Sequence, residues 1–432
     1  MKTYTAYVPL TNWLYGFDRY RRWYDKTQIP NTRYPERMYF LGSEEDQSIG
    51  IKKARQLAVQ LGELGQAVVW FSVCAEQGEL AKNIWTGSGI GYAYPSLQVP
   101  IKTCGLIYAD GEIESLPPEE ILAYSYAQLR GEVQWSSCTP RSFSVLPIAQ
   151  ACPAACAFCF SKASVSDDIH QLPWTMDGVA QSASKAKALG AKRAVITGGG
   201  EPTLLRSEQL LELVSTLSSF WTKVLLITNG FRWGEINESE RIGHLTALRN
   251  AGLSHLALSR HGATLEEESL LMGIRTNSDR VVTSALAIGL KPRIICVLQK
   301  DGVSTSEKVV KYLQRMAQEG VPEICFKELY VSSQIENHWA SEKENQFAKI
   351  HQVSLGVVID AMAQLGFEES ARLPWGAPIF DGFISGQPMR VAAYTEPSVG
   401  WELQHRLVRS WNFMADGKTL ASLEDSRSQI LV

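Results

Sequence analysis

The chain has 432 residues, 45% of them hydrophobic and 20% charged, which is length enough for two or three domains and an ordinary composition for a folded protein, excluding collagen-like or disordered classes. Its 42 Lys and Arg stand against 45 Asp and Glu, a net charge of −3, so no excess of positive charge attracts a phosphate backbone and a nucleic-acid partner is disfavoured. No apolar run is long enough to span a membrane, the start lacks the apolar stretch of a signal peptide, and Cys74, Cys104, Cys138, Cys296 and Cys325 are scattered singly as in a reducing compartment, so a cytoplasmic protein is expected.

Residues 1–140 read as an α+β region that binds substrate or partner. Eight aromatic residues fall between Tyr4 and Tyr24, interleaved with Arg19, Arg21 and Arg22. They suit either a docking surface, where aromatics and Arg concentrate, or rings that pack this segment onto its own domain. A helix is expected around 57–64, strands over 67–73 and 101–107, a tight turn at Asp110-Gly111, and a helix opening at Pro117-Pro118.

From about 142 the rhythm changes. Short, apolar, largely β-branched runs begin at 142, 193, 223, 255, 293 and 323, and helical patterns over 176–190, 206–220, 239–252, 275–289 and 304–320 separate them. Such runs read as parallel strands buried on both faces. Six units of about 32 residues have the unit length of an eight-unit α/β barrel, so 141–335 is expected to form a partial (β/α)6 barrel. Residues 336–432 read as a C-terminal extension: one long helix over 340–366, strand-like runs at 390–394 and 406–414, and a hairpin turn at Ala415-Asp416-Gly417-Lys418.

In parallel α/β folds ligands gather at the carboxyl ends of the strands. The first run ends at Cys152-Pro153-Ala154-Ala155-Cys156-Ala157-Phe158-Cys159. Three thiols with no fourth nearby can hold an iron–sulfur cube while leaving one iron open to another ligand. Two plainer readings compete. A zinc knuckle lacks its fourth ligand, since His170 lies eleven residues on, and three cysteines can also be buried apolar thiols.

The second run ends at Thr197-Gly198-Gly199-Gly200-Glu201-Pro202. Glycines admit a ligand close to the backbone, and the Glu201 carboxylate suits an ammonium rather than the phosphate of a Walker-type loop.

Together, CxxxCxFC and the GGEP motif about forty residues later resemble the radical S-adenosylmethionine (radical SAM) superfamily with a MoaA/PqqE-like core, over about 142–335. The resemblance implies a [4Fe–4S] cluster on Cys152, Cys156 and Cys159, with S-adenosylmethionine (SAM) chelating the open iron. It further implies that Phe158 lies against adenine and that Gly199, Gly200 and Glu201 hold the amino group of the SAM methionine. Asn229, after the third run, would lie near SAM, although a plain turn is an equal reading. The fourth run ends in Ser259-Arg260-His261, where the family often has Ser followed by an acidic or amide residue. Ser259 is kept, Arg260 departs from that pattern but suits a carboxylate, and His261 would face substrate or be structural. Lys327, Glu328 and Tyr330 are further candidates for substrate contact.

The reaction so implied is reductive cleavage of SAM to a 5′-deoxyadenosyl radical that abstracts a hydrogen atom from the substrate. No cysteine follows Cys325, so a single cluster and a redox-neutral outcome are expected. The expected substrate is a ribosomally synthesised peptide. A small metabolite is the alternative, and a non-catalytic Fe–S carrier the reading from another class. Expected partners are an electron donor such as flavodoxin or ferredoxin, and a small peptide-recognition protein.

Overall fold

The computed structural model describes residues 2–9, 42–44, 46–62, 67–75, 101–108, 110–116, 133–159, 174–331, 343–397 and 399–431. The chain divides into two compact units, Met1–Gln134 with Pro397–His405, and Trp135–Glu396 with Arg406–Val432.

In the first unit β1 (Lys2–Pro9), β2 (Gly42–Glu44), β3 (Val68–Ala75), β4 (Ile101–Ile107) and β5 (Ile113–Ser115) form an antiparallel sheet in the order β2-β1-β3-β4-β5. Helix α1 (Gln47–Gly62) starts where the Asp46 carboxylate accepts the amides of Ser48 and Ile49. It lies on the sheet through small residues four apart. Ala54 and Ala58 are buried with Tyr7, Val68, Trp70 and Ile107, and a Cβ on Gly50 would stand 2.9 Å from Thr5 Cβ. Tyr7 is thus a core residue. The rest of the aromatic-rich start beyond Pro9 and the helix expected at Pro117 lie outside the described residues. The turn at Asp110-Gly111 closes the β4–β5 hairpin, with Gly111 at φ +85°.

The second unit carries the expected α/β alternation. Its strands are β6 (Thr139–Pro140), β7 (Phe143–Val145), β8 (Ala194–Ile196), β9 (Val224–Thr228), β10 (His255–Ser259), β11 (Lys291–Leu298) and β12 (Glu323–Glu328). Between them run α2 (Met176–Ala188), α3 (Ser207–Ser218), α4 (Phe231–Glu235), α5 (Glu238–Asn250), α6 (Leu265–Met272), α7 (Ser278–Ala287) and α8 (Ser306–Gln318).

The repetition has a local cause at each helix end. Thr175, Asn237, Thr264 and Thr305 each accept an amide hydrogen bond in the first turn of α2, α5, α6 and α8. At the other end Gly190 and Gly252, at φ +108° and +109°, turn the chain out of α2 and α5, and the next amides, of Ala191 and Leu253, bond back to Ala186 and Leu248.

The expected C-terminal extension belongs largely to the same sheet. After α9 (Lys343–His351) and α10 (Gly356–Leu365) come β13 (Glu368–Arg372), β14 (Pro378–Ile384) and β15 (Gln387–Tyr394). Then follow α11 (Val399–His405), in the first unit, β16 (Leu407–Val408), β17 (Trp411–Phe413), β18 (Thr419–Leu420) and β19 (Gln429–Ile430).

Twelve of these strands make one sheet in the order β13-β14-β15-β12-β11-β10-β9-β8-β7-β17-β18-β19. The six expected strands β7 to β12 are parallel, and β15 and β17 pair parallel to their two edges. Antiparallel strands follow at each end, so edges that would otherwise stand open are covered. Among the described residues β13 and β19 do not pair, and the sheet is open, as in a partial barrel.

The single helix expected over 340–366 is two. The break at 352–355 lets Gln352 bond the carbonyl of Leu329 at 2.8 Å and buries Val353 and Leu355, which one continuous helix would hold on different faces.

Candidate functional site

The carboxyl ends of β7, β8, β9, β10, β11 and β12 surround a pocket of about 270 Å³. Its lining includes Cys152, Cys156, Phe158, Cys159, Gly198, Gly200, Glu201, Asn229 and Ser259, nearly all the residues singled out from the sequence.

The cysteine loop and the glycine loop are joined through their backbones. The amides of Gly200 and Glu201 donate to the carbonyls of Ile148 at 2.9 Å and Ala151 at 2.8 Å. That approach requires glycine, since a Cβ on Gly199 would lie 2.3 Å from the Ala149 carbonyl oxygen and one on Gly200 2.2 Å from that of Ala151. Gly199 itself stays behind the wall, and Gly198 and Gly200 face the pocket. From the other side the Ala155 amide donates to the carbonyl of Met272, at the end of α6.

Cys152 is exposed, and Cys156 and Cys159 are half-buried. Burial, and then the neighbouring thiols, push Cys156 up to about 12; burial also raises Cys152. The Asn229 side-chain amide points its Nδ2 at Cys152 Sγ, 3.6 Å away. Among the described residues no three His, Cys, Asp or Glu side chains converge as ligands of a single metal ion do. A four-iron cube is larger than an ion and keeps its thiolates apart, so the donor set of three sulfurs on one loop fits a cluster better than zinc.

Glu201 is 4% exposed, and hydrogen bonds fix its orientation. One carboxylate oxygen accepts from the Thr203 amide at 3.0 Å, the Thr203 hydroxyl at 2.7 Å and the Thr228 hydroxyl at 2.6 Å; the other accepts from the Asn229 amide at 2.9 Å. The second oxygen keeps acceptor capacity on the pocket side. Asn229 is pinned in turn, its Oδ1 accepting from the Phe231 amide.

His261 packs edge-on against Phe158, ring centres 4.9 Å apart. Its Nδ1 accepts from the Val297 amide at 3.0 Å, which assigns the ring proton to Nε2. Burial, reinforced by Lys327, pulls His261 down to about 3, so the ring is neutral. It is a structural support for Phe158 and is not poised as a base.

Arg260 corrects the sequence expectation. It is fully buried, outside the pocket, and bonds Glu268 at 3.2 Å and both carboxylate oxygens of Glu319, with Arg315 bridging the same two acids. The physical reason is the two-residue alternation of β10 carried past its end: Ser259 and His261 turn inward and Arg260 outward toward α6 and α8.

Lys327 and Tyr330 line the pocket, with Lys327 held to Glu396 at 2.9 Å. Glu328 also lines it and accepts from Thr395 at 3.2 Å. The sequence reading missed Glu396 and Glu344. Glu396 follows β15, and burial alone would raise its carboxyl, but Arg409 and Lys327 outweigh burial and hold it below the usual range. The strand-end rule applied to 390–394 would have found Glu396; nothing in the sequence marks Glu344.

Residues 146–326 match the profile of the radical SAM superfamily. No curated protein matches the chain. Among solved structures the chain is similar to SuiB of Streptococcus suis bound to its precursor peptide SuiA, at 14% identity over 72% of this chain and 65% of that one, TM-score 0.41. It is also similar to a radical SAM methyltransferase from Sphaerobacter thermophilus, at 15% identity over 57% and 69%, TM-score 0.34, and to the FeFe-hydrogenase maturase HydG of Carboxydothermus hydrogenoformans, at 9% over 88% and 78%, TM-score 0.36. The chain thus spans just under two thirds of the SuiB chain, and likeness at this level says nothing of substrate. Residues 146–326 are therefore a domain of the radical SAM superfamily, enzymes that use a [4Fe–4S] cluster and S-adenosylmethionine.

Proposed function

We propose that the chain is a radical SAM enzyme with a single cluster held by Cys152, Cys156 and Cys159, acting at an unactivated C–H bond of a peptide. The observation that carries this reading is the joining of the three-thiol loop to the glycine loop, with the Glu201 carboxylate fixed at their junction. Cluster and SAM together supply, when bound, a one-electron cleavage of SAM and a carbon radical that takes hydrogen from the substrate.

The protein's own groups do the rest. Glu201 receives the amino group of SAM on its second oxygen, and Gly198 and Gly200 let the methionine moiety lie against bare backbone. Phe158, braced by His261, offers an apolar face to the adenine, with Ile227 and Val297 excluding water beside it. Ser259 offers a hydroxyl to the polar part of SAM. Asn229 Nδ2 donates toward Cys152 Sγ, which would favour the thiolate that holds the cluster.

The peptide assignment is supported by the aromatic and Arg-rich segment that begins the chain. Cys104, Cys138, Cys296 and Cys325 are each buried away from the cysteine loop, which supports one cluster and a redox-neutral outcome.

The test is anaerobic: reconstitution with iron and sulfide, addition of dithionite and SAM, and detection of 5′-deoxyadenosine by mass spectrometry. Its formation is the expected result. Bound iron with SAM intact, in the presence of a low-potential reductant and candidate peptides, would overturn the reading.

A further inference from the structure

A second cavity, of about 500 Å³, lies inside the same sheet on the amino-end side of the strands. Six residues, Thr197, Gly198, Ile227, Ile295, Lys327 and Glu396, line both this chamber and the pocket at the cysteine loop, so the two are neighbours that share a wall. Alternation along each strand builds the chamber's floor, since Arg293 stands two residues below Ile295 and Glu323 two below Cys325, while Arg193 and Lys223 immediately precede β8 and β9. Strand rise puts the floor, at Arg193, about 13 Å below Thr197 of the glycine loop.

The charge there is unbalanced. Seven cationic side chains line the chamber against two carboxylates, Glu323 and Glu396. Glu396 serves Lys327 and Arg409, and Arg390 is turned to Asp381, which it meets twice at 2.8 Å. Glu323 is left as the floor's counter-charge and holds Arg293 at 2.8 Å, while Arg293 Nε is buried without a hydrogen-bond partner.

Among the described residues Arg193 and Lys223 make no side-chain hydrogen bond or ion pair. Their surroundings disfavour the charge they carry. Burial, and then the neighbouring Arg293, lowers Arg193; burial lowers Lys223, against partial support from Glu323. Like cations gathered out of bulk water destabilise the fold unless an anion joins them.

We propose that the floor formed by Arg193, Lys223 and Arg293 binds an oxyanion, and that this group is a carboxylate at the leading end of the substrate whose reacting C–H lies at the SAM pocket. The first half rests on the chamber alone; the second rests on the function proposed above. A carboxylate offers two acceptor oxygens to two guanidinium groups and an ammonium. The 13 Å between floor and glycine loop, about four residues of extended chain, makes the substrate elongated and acid-ended, as an acidic peptide segment is.

The test uses the reconstituted protein, titrated with succinate and separately with inorganic phosphate at constant ionic strength in chloride, read by calorimetry. Saturable binding of one or both is expected, the tighter one naming the oxyanion, with affinity reduced about tenfold in Arg193→Gln and in Lys223→Gln. The affinity for SAM stays unchanged in both. A second readout separates a ligand site from a structural one: without added anion, Arg193→Gln and Lys223→Gln melt higher than wild type, because each removes a repelling cation.

Absence of saturable binding, an affinity in both variants equal to that of wild type, or variants that melt lower with no anion present would overturn the proposal. Anion binding without 5′-deoxyadenosine formation would sink the enzymatic reading and leave the chamber. Deoxyadenosine without anion binding would do the reverse.

Discussion

Glu201→Gln separates holding the fold from holding SAM. The carboxylate accepts four hydrogen bonds, three on one oxygen and one on the other. An amide keeps the three only by turning its NH2 toward the Asn229 amide, where donor faces donor. One buried N–H is then unpaired, at a cost of about 1–3 kcal/mol, and the three remaining bonds lose their charge assistance, about 1 kcal/mol each. Since neighbouring terms are not additive, the net loss of stability is about 3 kcal/mol. The ammonium of SAM loses a charged acceptor, about 2 kcal/mol or thirtyfold in affinity.

Thr228→Val is the control. It removes one donor, at 2.6 Å, and the acceptor of the Gly230 amide, and leaves the carboxylate charge, so stability falls by about 2 kcal/mol and SAM affinity stays within about threefold. Urea melts and equilibrium binding of SAM to the reconstituted proteins read both effects, with iron content unchanged throughout. If Glu201→Gln bound SAM like wild type, or if Thr228→Val weakened it equally, Glu201 would be a structural group and not a SAM ligand.

Cys156→Ala should lose cluster iron and all deoxyadenosine formation while circular dichroism stays native; retained cleavage would remove the thiol from the cluster. Arg260→Gln leaves Glu268 and Glu319 with Arg315 as their one remaining shared cation, so stability should fall by about 3 kcal/mol with SAM affinity unchanged at temperatures where the variant is folded. A change in that affinity would return Arg260 to the pocket. His261, held down to about 3 in the fold against an ordinary 6.5, is neutral when native and protonated when unfolded between those values. Its contribution is therefore present above pH 6.5 and is lost as pH falls toward 3, at about 1.4 kcal/mol per pH unit. His261→Gln should flatten that slope in urea melts at pH 7 and 5, and an unchanged slope would show that another group titrates.

What could be read in advance followed from periodicity. Short apolar runs separated by helices led to six parallel strands, and the end of each run led to Cys152, Glu201 and Asn229, because a buried parallel strand has only its carboxyl end to offer a ligand. What stayed hidden depended on partners far away in sequence. Residues 390–394 alternate like any half-buried strand, and nothing local says that they pair parallel to β12 through Lys327 and Tyr394. Residues 411–413 likewise pair with β7, some 268 positions upstream. Arg260 was misread for a more tractable reason: taking every residue after a strand as a pocket residue ignores the alternation that turns neighbours to opposite faces.

The same alternation organises the interior into levels. Along β8, β9, β11 and β12 the inward side chains run Arg193, Val195, Thr197; Lys223, Leu225, Ile227; Arg293, Ile295, Val297; and Glu323, Cys325, Lys327. Charges at the amino ends therefore lie two residues from an apolar level, where Val195, Leu225 and Ala257 pack together with Ile227 and Ile295 against them. The pocket with its thiols and glycine loop lies one step further on. An apolar level between two polar ones keeps the floor's cations from pairing with Glu201, whose four hydrogen bonds already come from its own loop and β9. If the substrate proposed above reaches from the SAM pocket to the floor, it would have to be narrow and apolar at this level and charged beyond it, so the three tiers would set the order of chemical groups along it.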